Sequence, residues 1–93
     1  MTADRDRHDV ANEFCVPCDF RPQAFELARQ IVDAWADRVS SIRLVPSSGG
    51  RFEVTLDGEL IFSKAELGRH AQPGEVLGLL EVRLGQPTPS LFG

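Results

Sequence analysis

No stretch of the sequence approaches the roughly 20 apolar residues that a membrane-spanning helix requires. Residues 1–9 also lack the apolar core of a signal peptide, since Asp4, Arg5, Asp6, Arg7, His8 and Asp9 are charged or polar. The expected address is therefore cytoplasmic, with no membrane partner. Positive charge is scarce: 10 Lys and Arg stand against 14 Asp and Glu, for a net charge of −4. Phosphate backbones are held by clustered cations, so no nucleic-acid partner is expected. There are two cysteines and two histidines. A closed zinc site needs four ligands and would have to recruit both His8 and His70, so no metal ligand is assigned. Gly49-Gly50 precedes a strand and no lysine follows it, which excludes a phosphate-binding loop. No internal repeat is present.

What remains is the composition of one small globular domain: 93 residues, 42% hydrophobic and 26% charged. Residues 1–9 read as a flexible start and residues 86–93, with Pro87 and Pro89, as a flexible tail. The folded part is expected over 10–85. Val10–Phe14 is a short strand candidate containing Asn12 and Glu13. Ala24, Leu27, Ala28, Ile31 and Trp35 share one helical face, predicting a helix over 20–38 with Trp35 toward the sheet. Pro22 fits its first turn, and Asp19 is the candidate cap. Ser41–Val45 and Phe52–Leu56 alternate as strands. Asp57-Gly58 marks a tight hairpin leading into a strand over Glu59–Ser63. Ala65–Ala71 is ambiguous. A second helix opens at Pro73-Gly74-Glu75, with Val76, Leu79, Leu80 and Val82 inward, and ends at Gly85.

The resulting fold class is α/β, a thioredoxin-like β-α-β-β-β-α order with a four-stranded mixed sheet and two helices. The first β-α-β is a parallel crossover. Cys15-Val16-Pro17-Cys18 falls between the first strand and the first helix. Two cysteines so spaced can close a small disulfide ring, bind a metal or serve structure. The start of a helix favours a thiolate, but Pro22 sets the regular helix a few residues beyond Cys18. Arg21 adds positive field there and Asp19 opposes it. Phe20 stands where it can shield one sulfur, and the other aromatics are expected in the core or at its rim. Arg29, Asp33, Asp37 and Arg38 read as a solvated helix face.

Phe14-Cys15-Val16-Pro17-Cys18-Asp19-Phe20-Arg21-Pro22 and Gly50-Arg51-Phe52-Glu53-Val54, running on through Asp57-Gly58-Glu59-Leu60-Ile61-Phe62-Ser63-Lys64, resemble the selenoprotein W-like (Rdx) family. Gly68-Arg69-His70 and the closing helix occupy comparable places, so the resemblance covers about 10–85. It implies a thioredoxin-like fold and a thiol redox role in cell redox homeostasis, with Cys15 and Cys18 as the catalytic pair. Gly49-Gly50 stands where thioredoxins carry a cis-proline. No bound cofactor is implied. Electrons would come from glutathione or a partner protein, and the substrate would be a thiol or disulfide. Exposure at a loop tip, and the charge of Asp19 beside Cys18, argue for Cys15 as the attacking sulfur. The family's selenium position argues for Cys18. The alternative function is a redox-sensing interaction module without turnover.

Overall fold

Alternation along the first strand, β1 (His8–Cys15), decides which side of the sheet is covered. Val10, Asn12 and Phe14 point to one face and are buried, while Asp9, Ala11 and Glu13 point to the other and are exposed or half-buried. The computed structural model describes residues 7–87. After β1 come α1 (Arg21–Trp35), β2 (Val39–Ser47), β3 (Phe52–Leu56), β4 (Glu59–Ser63), α2 (Lys64–Leu67) and α3 (Glu75–Leu84). One sheet is formed in the order β2-β1-β3-β4. β1 runs parallel to β2 and antiparallel to β3, and β3 and β4 form the hairpin. At its turn Asp57 and Gly58 take φ values of 53° and 85°, as the Asp-Gly pair predicts.

The covered face carries Val10, Phe14, Phe52, Val54, Leu56 and Phe62 against α1 and α3. α1 contributes Ala24, Leu27, Ile31 and Trp35 of the predicted stripe, while Ala28 is half-buried at its edge. Trp35 is 1% exposed, and its indole N–H donates to the Gly85 carbonyl at 2.9 Å. Apolar burial and a satisfied polar edge thus fix the end of α3 to the end of α1.

Several boundaries differ from the pattern in the sequence. β1 begins at His8, so His8 and Asp9 belong to the sheet: the His8 N–H donates to the Arg38 carbonyl at 2.9 Å. Residues 1–6 and 88–93 of the expected flexible ends lie outside the described residues. β1 is central, which explains a strand holding a buried Asn12: its amide donates to the Glu53 carbonyl at 3.1 Å. β2 runs through Pro46, which an edge strand tolerates. α1 ends at Trp35, three residues early. Asp19 does not cap it, because Phe20 is the N-cap and no side chain bonds there. The ambiguous stretch holds α2, capped by the Ser63 hydroxyl, which accepts from the Glu66 N–H at 3.0 Å. In α3 the buried stripe is Val76, Leu80 and Leu84; Leu79 lies at the surface and Val82 is 82% exposed, against expectation. A short helix lying over one sheet edge buries only one narrow stripe, so an apolar composition overstates its inward face. Arg38 is more than a solvated charge, since it donates to the carbonyls of Leu84 and Gln86 at 2.8 and 2.7 Å.

Candidate functional site

β1 ends at Cys15, and backbone carbonyls of the neighbouring strand ends grip it there. The Cys15 N–H donates to the Arg51 carbonyl at 2.8 Å, and the Val16 N–H to the Ser47 carbonyl at 2.9 Å. The chain then turns sharply. The Asp19 N–H returns to the Val16 carbonyl at 2.9 Å and the Phe20 N–H to the Cys15 carbonyl at 3.2 Å. Asp19 adopts φ 63°, a left-handed conformation that Asp tolerates better than most residues. This turn brings the two sulfurs into a disulfide, with Cα atoms 5.3 Å apart, inside the range such a bond requires.

The two cysteines stand in different surroundings. Cys15 is 1% exposed, sealed at the end of a central strand. Cys18 rides on the outside of the turn and is exposed. The expectation that Cys15 is the more accessible sulfur is therefore reversed. The first position of the pair lies inside the sheet, and only the second clears it. The Cys18 N–H lies 3.3 Å from the Cys15 sulfur and points a backbone donor at it.

The charges around the turn are mostly spent on each other. Arg21 donates to the Asp19 carboxylate through Nε and Nη2 at 3.1 and 2.9 Å, so each cancels much of the other's effect on Cys18. Regular helix starts only at Arg21, which leaves Cys18 short of the helix terminus. Phe20 is half-buried beside the turn, edge-on to Phe52 at 6.3 Å and to His70 at 5.0 Å between ring centroids. The Lys64 ammonium lies 5.8 Å from the Phe20 centroid.

The structure separates the two histidines. His70 joins the ring cluster beside the dithiol, whereas His8 lies at the opposite end of β1 with Nδ1 2.6 Å from an Asp57 carboxylate oxygen. Among the described residues no three His, Cys, Asp or Glu side chains converge as metal ligands, and no helix is long and apolar enough to cross a membrane. Of the aromatics, Phe14, Phe52, Phe62 and Trp35 are core, whereas Phe25 is 53% exposed.

Two features of the site escape sequence reasoning. One is a groove of about 440 Å³ beside Phe20, lined by Leu27, Phe52, Ala71, Val76 and Leu77 and edged by His70. The other is Lys64, at the far end of the hairpin from the dithiol in sequence. Only the strand order, which sets β3 between β1 and β4, reveals that this end folds back toward Cys15.

The comparisons with known proteins agree with this geometry. Two solved structures share the fold: a selenoprotein W-related protein from Vibrio cholerae (TM-score 0.71, 19% identity, 84% of this chain and 92% of that one) and a Bordetella parapertussis protein (TM-score 0.77, 18% identity, 84% and 99%). The fold is thioredoxin-like. Proteins named migration and invasion enhancer 1, from Bos taurus and Mus musculus, are each 36% identical over 59 residues, 63% of this chain. That alignment covers 50% of each relative, so the chain spans about half the length of the curated relatives it matches. Residues 9–82, which hold the dithiol turn, the hairpin and most of α3, match the Rdx family, and the chain belongs to that family.

Proposed function

We propose that this chain is a thiol–disulfide redox protein that cycles between a Cys15/Cys18 dithiol and the Cys15–Cys18 disulfide. The observation that carries this reading is the pairing of one exposed and one buried sulfur within bonding distance. In the reduced protein the Cys18 thiolate attacks one sulfur of a partner disulfide. The partner S–S bond breaks, one partner thiolate leaves and a mixed disulfide forms. Cys15 gives up its proton and attacks the Cys18 sulfur, which expels the second partner thiolate. Two electrons pass to the partner, and the intramolecular disulfide is left. Two donor thiols, glutathione or those of a partner protein, reverse the sequence and leave as the donor's own disulfide. No bound cofactor takes part.

The groove lined by Phe20, two residues along the chain from Cys18, supports a partner seated on this side of the dithiol turn. Reduction of the disulfide by donor thiols fits a reducing compartment, which supports a cytoplasmic address and a place in cell redox homeostasis. A redox titration followed by mass spectrometry tests the reading. The expected result is a reversible Cys15–Cys18 bond within the monomer, together with mixed disulfides on Cys18 in the Cys15→Ser variant. Thiols that stay free under mild oxidation, or link only between molecules, overturn it.

One observation favours a second reading, a redox-sensing interaction module. Gly49 and Gly50, at φ 75° and 76°, form the turn leading to Arg51, whose carbonyl holds Cys15, so glycine stands where thioredoxins carry their substrate-docking proline. Repeated reduction of a disulfide by a thiol donor supports the enzyme. A single slow oxidation that alters partner binding supports the module.

A further inference from the structure

Lys64 lies against two residues that border the dithiol turn, Phe20 and Gly50, and among the described residues no carboxylate pairs with it. Its backbone opens α2, and the Glu53 carboxylate fixes both neighbours, accepting from the Ser63 hydroxyl at 2.5 Å and from the Ala65 N–H at 3.2 Å. The side chain is half-buried and reaches over the Phe20 ring. Its ammonium lies 3.7 Å from where a β-carbon on Gly50 would stand. Both contacts border the redox turn. Phe20 is bonded to the Cys15 carbonyl, and Gly50 precedes the residue whose carbonyl takes the Cys15 N–H.

The other cations on this rim have carboxylate partners. Arg21 pairs with Asp19 at 2.9 Å, Arg69 with Glu75 at 2.8 Å, and Arg51 faces Glu13 at 3.9 Å. Lys64 has no carboxylate within 4.0 Å among the described residues. A cation over an aromatic face keeps donors available to an anion. The molecule as a whole carries −4 and repels anionic partners. An ammonium with no carboxylate within 4.0 Å among the described residues weakens that repulsion on this rim.

We infer that Lys64 is a specificity-determining residue, which favours partner thiols and disulfides bearing a carboxylate near the reacting sulfur. The inference rests on the dithiol reading above. Lys64 acts on the partner's charge and takes no part in the exchange of electrons.

Three small disulfides of different charge test it with the reduced full-length chain: the dianion dithiobis-nitrobenzoate, neutral dithiodipyridine and the dication cystamine. At low ionic strength the ratio of anionic to neutral rate constants should fall about three- to ten-fold in Lys64→Met, as expected for losing one nearby partly solvated charge. The cystamine-to-neutral ratio should rise, and Lys64→Arg should keep the wild-type ratios. Added salt should compress the wild-type ratios toward those of Lys64→Met. A role for Lys64 in raising the thiolate fraction of Cys18 would change all three rates alike. Ratios that stay constant in Lys64→Met therefore overturn the inference while leaving the dithiol reading intact. Ratios lost equally in Lys64→Arg overturn it too. A wild-type chain that reduces none of the three probes overturns both.

Discussion

The two ends of β1 are built on opposite plans. At the His8 end, side chains tie the strand ends to one another. Asp57 accepts from the Asp9 N–H at 2.8 Å and pairs with His8, and Asp9 accepts from Ser40 and Ser41 at 2.8 and 2.7 Å. Trp35 and Arg38 tie α1 to the end of α3 at the same pole. At the Cys15 end, backbone carbonyls hold the strand and most charged side chains around it pair off, leaving Cys18, Lys64 and His70 outside those pairs. Side-chain hydrogen bonds add stability and use up polar groups. A site that must meet a partner keeps its polar groups uncommitted and relies on the main chain for rigidity.

That contrast is most easily broken at Trp35. Trp35→Ala should cost about 3–5 kcal/mol in denaturant unfolding, because it empties a fully buried ring site and orphans the Gly85 carbonyl. A loss below about 1 kcal/mol would remove the claim that the far pole carries the stability. Asp57→Asn should cost less, about 1 kcal/mol, since Asn accepts the positive φ and the lost contacts are partly solvated. The hydrogen bond from His8, followed by that from the Asp9 N–H, lowers the Asp57 pKa below its ordinary 3.8. A depressed carboxylate adds stability above its unfolded value and loses it as pH falls through the folded one. The wild type should therefore lose stability more steeply than Asp57→Asn below about pH 4, which thermal melts across pH would show.

The smallest effect is expected at the dithiol pole. There the hydrogen bonds from Arg69, and then from the Gln72 N–H, hold the Glu75 carboxyl down at about 2 against an ordinary 4.5. Its contribution is complete above pH 4.5 and fades as pH falls toward about 2. Glu75→Gln should flatten the acid limb in that window. It should change the neutral-pH melting temperature less than Asp57→Asn does, because Arg69 and Glu75 are only six residues apart in sequence, whereas Asp57 ties the hairpin turn to the start of β1. A larger neutral-pH loss in Glu75→Gln would mean that the groove end is locked as firmly as the far pole.

Much of this architecture is legible in the sequence because local chemistry and global fold agree. Asp57-Gly58 demands its turn, Ala24 to Trp35 declares one buried face, and the cysteine spacing declares the ring. The failures have a common cause. β1 reads weakly because Asn12 and Glu13 are polar, and the burial of Asn12 makes sense only between β2 and β3. Val82 reads as inward because apolar composition does not say which way a short helix is rolled. The relative exposure of the cysteines is not legible because it depends on where the sheet ends, one residue past Phe14. Lys64 and His70 reach the site through strand order and a loop, which no local pattern encodes.

The central claim is that Cys18 meets the partner and Cys15 closes the disulfide from inside. A brief pulse of neutral iodoacetamide on the fully reduced protein, read by peptide mass spectrometry across pH, tests it most directly. Cys18 should be labelled at least about ten-fold faster than Cys15, with Cys15 reaching parity only in denaturant, because alkylation reports access as well as thiolate fraction. Equal labelling of the two sulfurs in the native state, or faster labelling of Cys15, would contradict the account.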